Sequence, residues 1–302
     1  MSNSTAVAQE ERQYQNGASG LKNQRTRRII LDILTHLFLA VMGIIWILPI
    51  VWVFLESFNA DQGATQNTFF PTKYTVNNYV KLFTETDVMN FPRMFLNTFI
   101  IAVFVCLISL FFVLSVAFCM SRLRFHFRKT FMNIALILGM FPGIMAVVAI
   151  YFILKAMGLT SSSGTLIALI IVYSAGSGAG FYVMKGYMDT IPASLDEAAY
   201  LDGCTKWQVF WKIIVPICKP MIVYQAIVGF LAPWLDFVMA GGIAQHGWTV
   251  ALGLWNMLQK EYIYQWYTRF AAGAVCVSVP IAILFILMQR FYQEAMSGSV
   301  KG

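Results

Sequence analysis

PASLDEAAYLDGCTKWQVFWKIIVPICKP, residues 192–220, is, in the C-terminal half of a very apolar chain, the longest polar interruption that does not read as a water-facing loop of arbitrary sequence. It reads as two short helices joined by a glycine. Ser194 is placed to cap the first helix, and Glu197 three residues on completes a capping box. Ala198 and Ala199 leave one face nearly bare, so another backbone could approach it. Gly203 ends the first helix, because glycine tolerates the left-handed conformation of a helix C-terminus. Thr205 with Gln208 starts the second helix the same way, over Lys206 to about Ile214 and into Pro216. A short helix-turn-helix with small residues on one side is a docking device.

The rest of the chain says where such a device sits. Of 302 residues, 59% are hydrophobic and 12% charged, against about 25% charged in a soluble domain. So little polar surface cannot cover a globule, and the chain belongs in a membrane. Apolar runs of bilayer-spanning length, ~20 residues at 1.5 Å rise each, cover about 29–55, 95–120, 131–154, 165–184, 213–238 and 270–288. This predicts an all-α integral membrane protein of six transmembrane helices. Proline interrupts the first, third and fifth runs, at Pro49, at Pro142, and at Pro216, Pro220 and Pro233. Such breaks survive in lipid where neighbouring helices re-satisfy the backbone, which points to a packed bundle. Residues 1–28 are polar, end in Lys22, Arg25, Arg27 and Arg28, and read as a disordered cytoplasmic tail. No apolar core precedes a small-residue cleavage site there, so the first run is expected to be an uncleaved span.

The net charge of +7 is a topology signal rather than a nucleic-acid one. With six spans and the N-terminus inside, fifteen of the 21 Lys and Arg residues fall on the inner side. Lys73, Lys81, Arg93, Lys155, Lys260 and Arg269 fall outside. That bias follows the positive-inside rule and predicts both termini, and the 192–220 stretch, in the cytoplasm. The domain reading is a tail over 1–28, a six-helix domain over 29–290 holding a loop at 190–216, and a C-terminal tail over 291–302. Outer segments 56–92 and 239–268 carry aromatics, including Trp248, Trp255 and Trp266. Those at the margins of 56–92 read as an interfacial belt, and those of 239–268 as interfacial anchors or as a platform for a sugar or an external partner.

With its surroundings placed, the loop resembles a known signature. Glu197-Ala198-Ala199, three residues, Gly203, nine residues, Ile213, one residue, Val215 and Pro216 is similar to the EAA pattern of bacterial ABC importer permeases, with Val215 where the pattern has leucine. Lys185 to Pro192, KGYMDTIP, resembles a segment of maltose-type permeases, and Gly298 to Gly302, GSVKG, resembles the tail of their six-span subunit. The likeness covers about residues 29–302. It implies a type I ABC importer transmembrane domain, in which Glu197, Ala198, Ala199, Gly203, Ile213 and Pro216 belong to an element lodged in a groove of an ATPase subunit. It also implies that Gly298, Val300, Lys301 and Gly302 reach the ATPase dimer. Implied partners are a second, homologous permease, two ATPase subunits, an extracellular sugar-binding protein and a maltodextrin-type sugar. ATP and Mg would bind the ATPases, and this chain itself would hold no cofactor.

The residues themselves exclude other chemistry. There is no GxxxxGK[ST] loop, no carboxylate pair in a cleft and no metal-ligand spacing among Cys106, Cys119, Cys204, Cys218, Cys276 and the three histidines. A secondary transporter would need ionisable groups in mid-membrane, whereas Asp32 and Asp236 lie at span ends. Gly176, Ser177, Gly178 and Gly180 in the fourth run admit two readings, close helix packing or a substrate pathway, and Gly139 to Gly143 admits the same two.

Overall fold

A computed structural model describes the backbone of residues 2–61, 70–87, 89–140, 142–161, 164–176, 180–244, 249–259 and 263–298; side chains are described from 27 to 291, except 263–266, within these bounds. The chain divides into two compact units, Met1–Leu55 and Glu56–Gly302. The first unit is one helix, α1 (Ser2–Glu56), with Pro49 inside it. Its apolar stretch over Arg27–Glu56 is long enough to cross a bilayer, and most side chains there are exposed, as lipid-facing residues are. The stretch expected to be a disordered tail is instead helical from Ser2, continuous with the span. Ala, Gln, Glu and Arg in that stretch are good helix formers, so a helix propagating back from the membrane meets no proline to stop it.

Among the described residues the second unit carries three further helices long and apolar enough to cross a bilayer, and two bent helix pairs that reach that length only when each pair is taken together. The longest, α3 (Phe91–Arg122), starts with Pro92 in its first turn and with the Asn90 side chain accepting from Arg93 N. It is the central post, because its buried positions face several helices at once. The third expected span is two helices, α4 (Arg128–Gly139) and α5 (Gly143–Ala156), bent by 101°. Pro142 caps α5 and cannot donate a helical hydrogen bond, so the break falls there. The fourth is α6 (Thr165–Gly176) followed by α7 (Gly180–Asp189).

The fifth differs most from expectation. The apolar run from 213 is not one span: α9 (Lys206–Ile217) meets α10 (Lys219–Leu235) at 81°. Cys218 is the corner and Pro220 sits in the first turn of α10, so a new helix direction starts at Lys219. Pro233 and Pro280 lie inside helices instead. The sixth span, Tyr267–Phe291, belongs to α13 (Ile263–Gly298), which runs through Arg290 into the expected tail without a break.

Three apolar clusters hold the second unit. One, at the end where α3 finishes, joins Val113, Phe118, Met184, Met188, Phe210 and Ile214. One at the opposite end joins Phe91, Phe230, Trp234 and Leu254 of α12 (Val250–Gln259) with Leu82 of a short helix, α2 (Asn77–Thr84). The third seats α11 (Val238–Ile243) between α5 and α6. Two buried polar groups tie these clusters to their neighbours, their desolvation offset by hydrogen bonds. Asn78 Nδ2 donates to Ser57 O at 3.0 Å and Asn59 O at 2.8 Å, while its Oδ1 accepts from Thr268. Tyr173 of α6 donates to Asp236 Oδ2 at 2.7 Å, and Asp236 Oδ1 accepts from Val238 N and Met239 N. Asp236 is thus a structural clasp between spans and a cap for α11.

Candidate functional site

The 190–216 loop folds as two helices laid against the end of the bundle. The first, α8 (Ala193–Leu201), begins two residues earlier than expected, with Pro192 as its N-cap. Ser194 therefore lies inside the first turn, makes no capping bond, and forms no box with Glu197. Proline fixes φ near −65° and is well suited to starting a helix, which explains why it displaces the serine. The consequence for Glu197 is direct. It sits past the first turn, exposed, without a hydrogen-bond or ion-pair partner among the described residues.

The C-terminus of α8 is as expected. Gly203 has φ +83°, its N–H donates to Tyr200 O at 3.0 Å, and Cys204 N donates to Ala199 O at 2.9 Å. These paired bonds are the Schellman arrangement, which needs a left-handed residue at its centre. A side chain at 203 would meet open space, so conformation alone demands glycine. Thr205 then starts α9. Its Oγ1 accepts from Gln208 N and its N–H donates to Gln208 Oε1 at 2.8 Å, completing the expected box. The middle of α9, Phe210–Ile214, widens into a π-turn, a feature that often accompanies functional segments.

The two alanines do not share a bare face. Ala199 is buried against Val209, Phe210 and Ile214 in the cluster with α3 and α7, while Ala198 points outward. Ile213 is half-buried and Pro216 exposed. The outward surface instead presents Leu195, Leu201 and Trp207, with Leu201 90% exposed at the tip of α8. A leucine so placed, on a polar helix, immediately before the glycine turn, was the available sequence signal for a contact surface.

The loop is clamped by an ion pair that spacing alone could not reveal. Arg122, the last residue of α3, places Nε 2.9 Å from Asp196 Oδ2, with both side chains at most 10% exposed. Its Nη2 donates to Ile191 O at 2.9 Å. Burial raises the Asp196 carboxyl above the ordinary aspartate range; the Arg122 charge partly offsets this, and Glu197 adds to it. Beside it, Asp189 accepts from Ser121 at 2.6 Å and pairs with Lys185.

In the fourth span, an added Cβ at Gly180 would fall 2.4 Å from Gln225 Oε1 of α10. Close packing is therefore what Gly180 provides. Gln225 is 3% exposed, and its Nε2 has no hydrogen-bond partner among the described residues. Gly176, like Gly139 and Gly143, faces open space; Ser177 and Gly178 lie outside the described residues, as do Val300, Lys301 and Gly302 of the tail, whereas Gly298 ends α13. Gly180→Ala should cost about 1–2 kcal/mol by forcing Gln225 aside, and Gln225→Ala in the same chain should recover most of it. Melting temperatures of the purified single and double variants check this. Additive losses would mean that the two residues are not in contact.

Among the described residues no group of His, Cys, Asp and Glu could hold a metal ion. What the geometry offers is a rigid two-helix projection seated on an all-helical bundle of bent and broken spans. That is the architecture of a type I ABC importer transmembrane domain. The chain belongs to the family described as binding-protein-dependent transport system inner membrane component, whose model matches residues 114–296. It is thus a transport component, not the ATPase. Over 286 residues it is 33% identical to the galactooligosaccharides transport system permease protein GanQ of Bacillus subtilis (strain 168), covering 93% of this chain and 100% of that protein. It is 31% identical to the maltodextrin transport system permease protein MdxG of the same organism, again over 93% and 100%. Its fold matches a chain in the crystal structure of a bacterial ABC transporter involved in the import of the acidic polysaccharide alginate. There the TM-score is 0.71 at 21% identity, covering 87% of this chain and 96% of that one.

Proposed function

We propose that this chain is one of two homologous permease subunits of an importer for maltodextrin-type oligosaccharides in the bacterial cytoplasmic membrane, with both termini and the 190–216 loop in the cytoplasm. Two ATPase subunits bind ATP and Mg, and an extracellular sugar-binding protein delivers the sugar. The observation that carries the reading is the loop: a projection whose inner face is core and whose outer face is unpartnered. Ala199, Val209, Phe210 and Ile214 pack with α3 and α7, so a push on the outer face moves those helices rather than bending the loop. Glu197, Ala198 and Leu201 face the ATPase; Gly203 sets the angle between the helices, and Ile213 and Pro216 pass the motion to α10. The C-terminal residues Gly298, Val300, Lys301 and Gly302 reach the ATPase dimer. Alternating access follows as ATP-driven closure swings the loops, with the pathway at the interface between the two permeases and Gly176 at its margin.

A galactooligosaccharide is the second reading, favoured by the 33% identity to GanQ. Uptake of labelled maltotriose and of labelled galactotriose by cells making the complete system separates the two. Maltotriose uptake, competed by unlabelled maltodextrin and lost on deleting this chain, is expected. Uptake of the galactoside alone would replace the substrate while leaving the transporter class in place.

A further inference from the structure

The turn joining the second and third spans carries a cluster that the loop does not use. Residues 122–129 read Arg-Leu-Arg-Phe-His-Phe-Arg-Lys, and no Asp or Glu occurs between Asp87 and Asp189. Arg122 is taken by Asp196, and Asp189 by Lys185 and Ser121; Arg128 reaches Asp189 only at longer range. Arg124, Arg128 and Lys129 have no carboxylate partner among the described residues. With Phe125, His126 and Met132 they line a cleft of about 470 Å³. Phe125 and Phe127 stand 43% and 53% exposed between the cations.

The apolar surface beneath the cleft says what kind of anion fits. No residue of α4 is buried. One side, through Phe131, Met132 and Ala135, packs on the core. The other presents Ile134, Leu136, Ile137 and Leu138 at 46–64% exposure, running into the membrane from the cleft. Cations above, aromatic rings at the boundary and a bare aliphatic face below match a headgroup phosphate, a glycerol region and acyl chains in turn. An acidic protein surface would be served by the cations but would leave the aliphatic face and the interleaved rings unexplained.

We propose that Arg124, Arg128 and Lys129, with Phe125 and Phe127, form a binding site for an anionic phospholipid in the leaflet on the loop's side of the membrane. Because the same turn ends in the Arg122 clamp, a bound lipid would hold the seat of the 190–216 loop. The site is independent of which sugar is carried.

The test uses the assembled transporter purified in detergent, loaded with equal phosphatidylglycerol and phosphatidylcholine, and measures retained lipid by mass spectrometry. Phosphatidylglycerol should be retained on the order of tenfold over phosphatidylcholine. Arg124→Gln, Arg128→Gln and Lys129→Gln together should erase most of that preference. Arg124→Lys with Arg128→Lys should keep it, which separates lost charge from lost folding. Lys73→Gln with Lys155→Gln, elsewhere on the surface, should leave it unchanged. Three results would overturn the site: an undiminished phosphatidylglycerol preference in the Gln variant, displacement of the lipid by millimolar inorganic phosphate, or loss of the ATPase subunits with lipid retention intact. The last would make the patch a subunit contact.

Discussion

Gly203→Val should abolish coupled transport while leaving the membrane-spanning helices assembled. Valine at φ +83° places a branched Cβ in the left-handed region, at about 1–2 kcal/mol for the conformation alone. If the backbone relaxes instead, the bonds from Gly203 N to Tyr200 O and from Cys204 N to Ala199 O are lost, at about 1 kcal/mol each. Either route costs roughly 2 kcal/mol, a drop of about thirtyfold in the population of the native turn. Open space around the position means that no core contact is disturbed, so the damage stays in the angle between α8 and α9. Expected readouts are a loss of binding-protein-stimulated ATP hydrolysis and of sugar uptake, with unchanged membrane insertion and a single chromatographic peak. Gly203→Asn, which tolerates the left-handed region, should stay within about twofold of the native chain. A valine variant that co-purifies with its ATPase and transports normally would remove the loop from the coupling path.

How much of this was legible in the sequence depends on the range of the interaction. Gly203, Thr205 and Gln208 act within five residues of one another, and the structure has them in the roles that spacing implies. The spans were legible because desolvation acts on composition: any ~20 apolar residues suffice. Direction within an apolar run was not. Nothing in the hydropathy of 213–238 marks the 81° corner at Cys218, since an interfacial helix and a buried one are equally rich in Ile, Trp and Phe. Ser194 failed as a cap because two helix-start signals compete within three residues, and the rigid one, Pro192, won. Ala198 and Ala199 could be placed on α8 but not on a face of the fold, for that is set by Val209, Phe210 and Ile214 of the next helix. The pairing of Arg122 with Asp196 spans 74 positions and joins two residues that each read, alone, as an inside charge.

That pairing yields the second large effect. Arg122→Met should loosen the seat of the loop by about 3 kcal/mol, because it leaves a buried carboxylate without its counter-charge and Ile191 O without its donor. Asp196 Oδ1 has no hydrogen-bond partner among the described residues, so nothing else compensates the charge. Burial already raises the carboxyl of Asp196; with the guanidinium gone it rises further. A group whose pKa is raised in the folded state favours that state when protonated, and the benefit is lost as pH climbs through the raised value. The deficit of the variant should therefore be smaller at about pH 5 than at about pH 8. Cys218, fully buried at the corner between α9 and α10, reports the opening: its alkylation in the assembled transporter should speed up by about a hundredfold at neutral pH. Replacing both partners, Arg122→Met with Asp196→Leu, should return the rate to within about tenfold of the native chain, because two apolar groups of similar size need no counter-charge. If the single variant protects Cys218 as well as the native chain does, Arg122 is not the clamp, and the rigidity of the loop must come from the apolar face of Ala199, Phe210 and Ile214 alone.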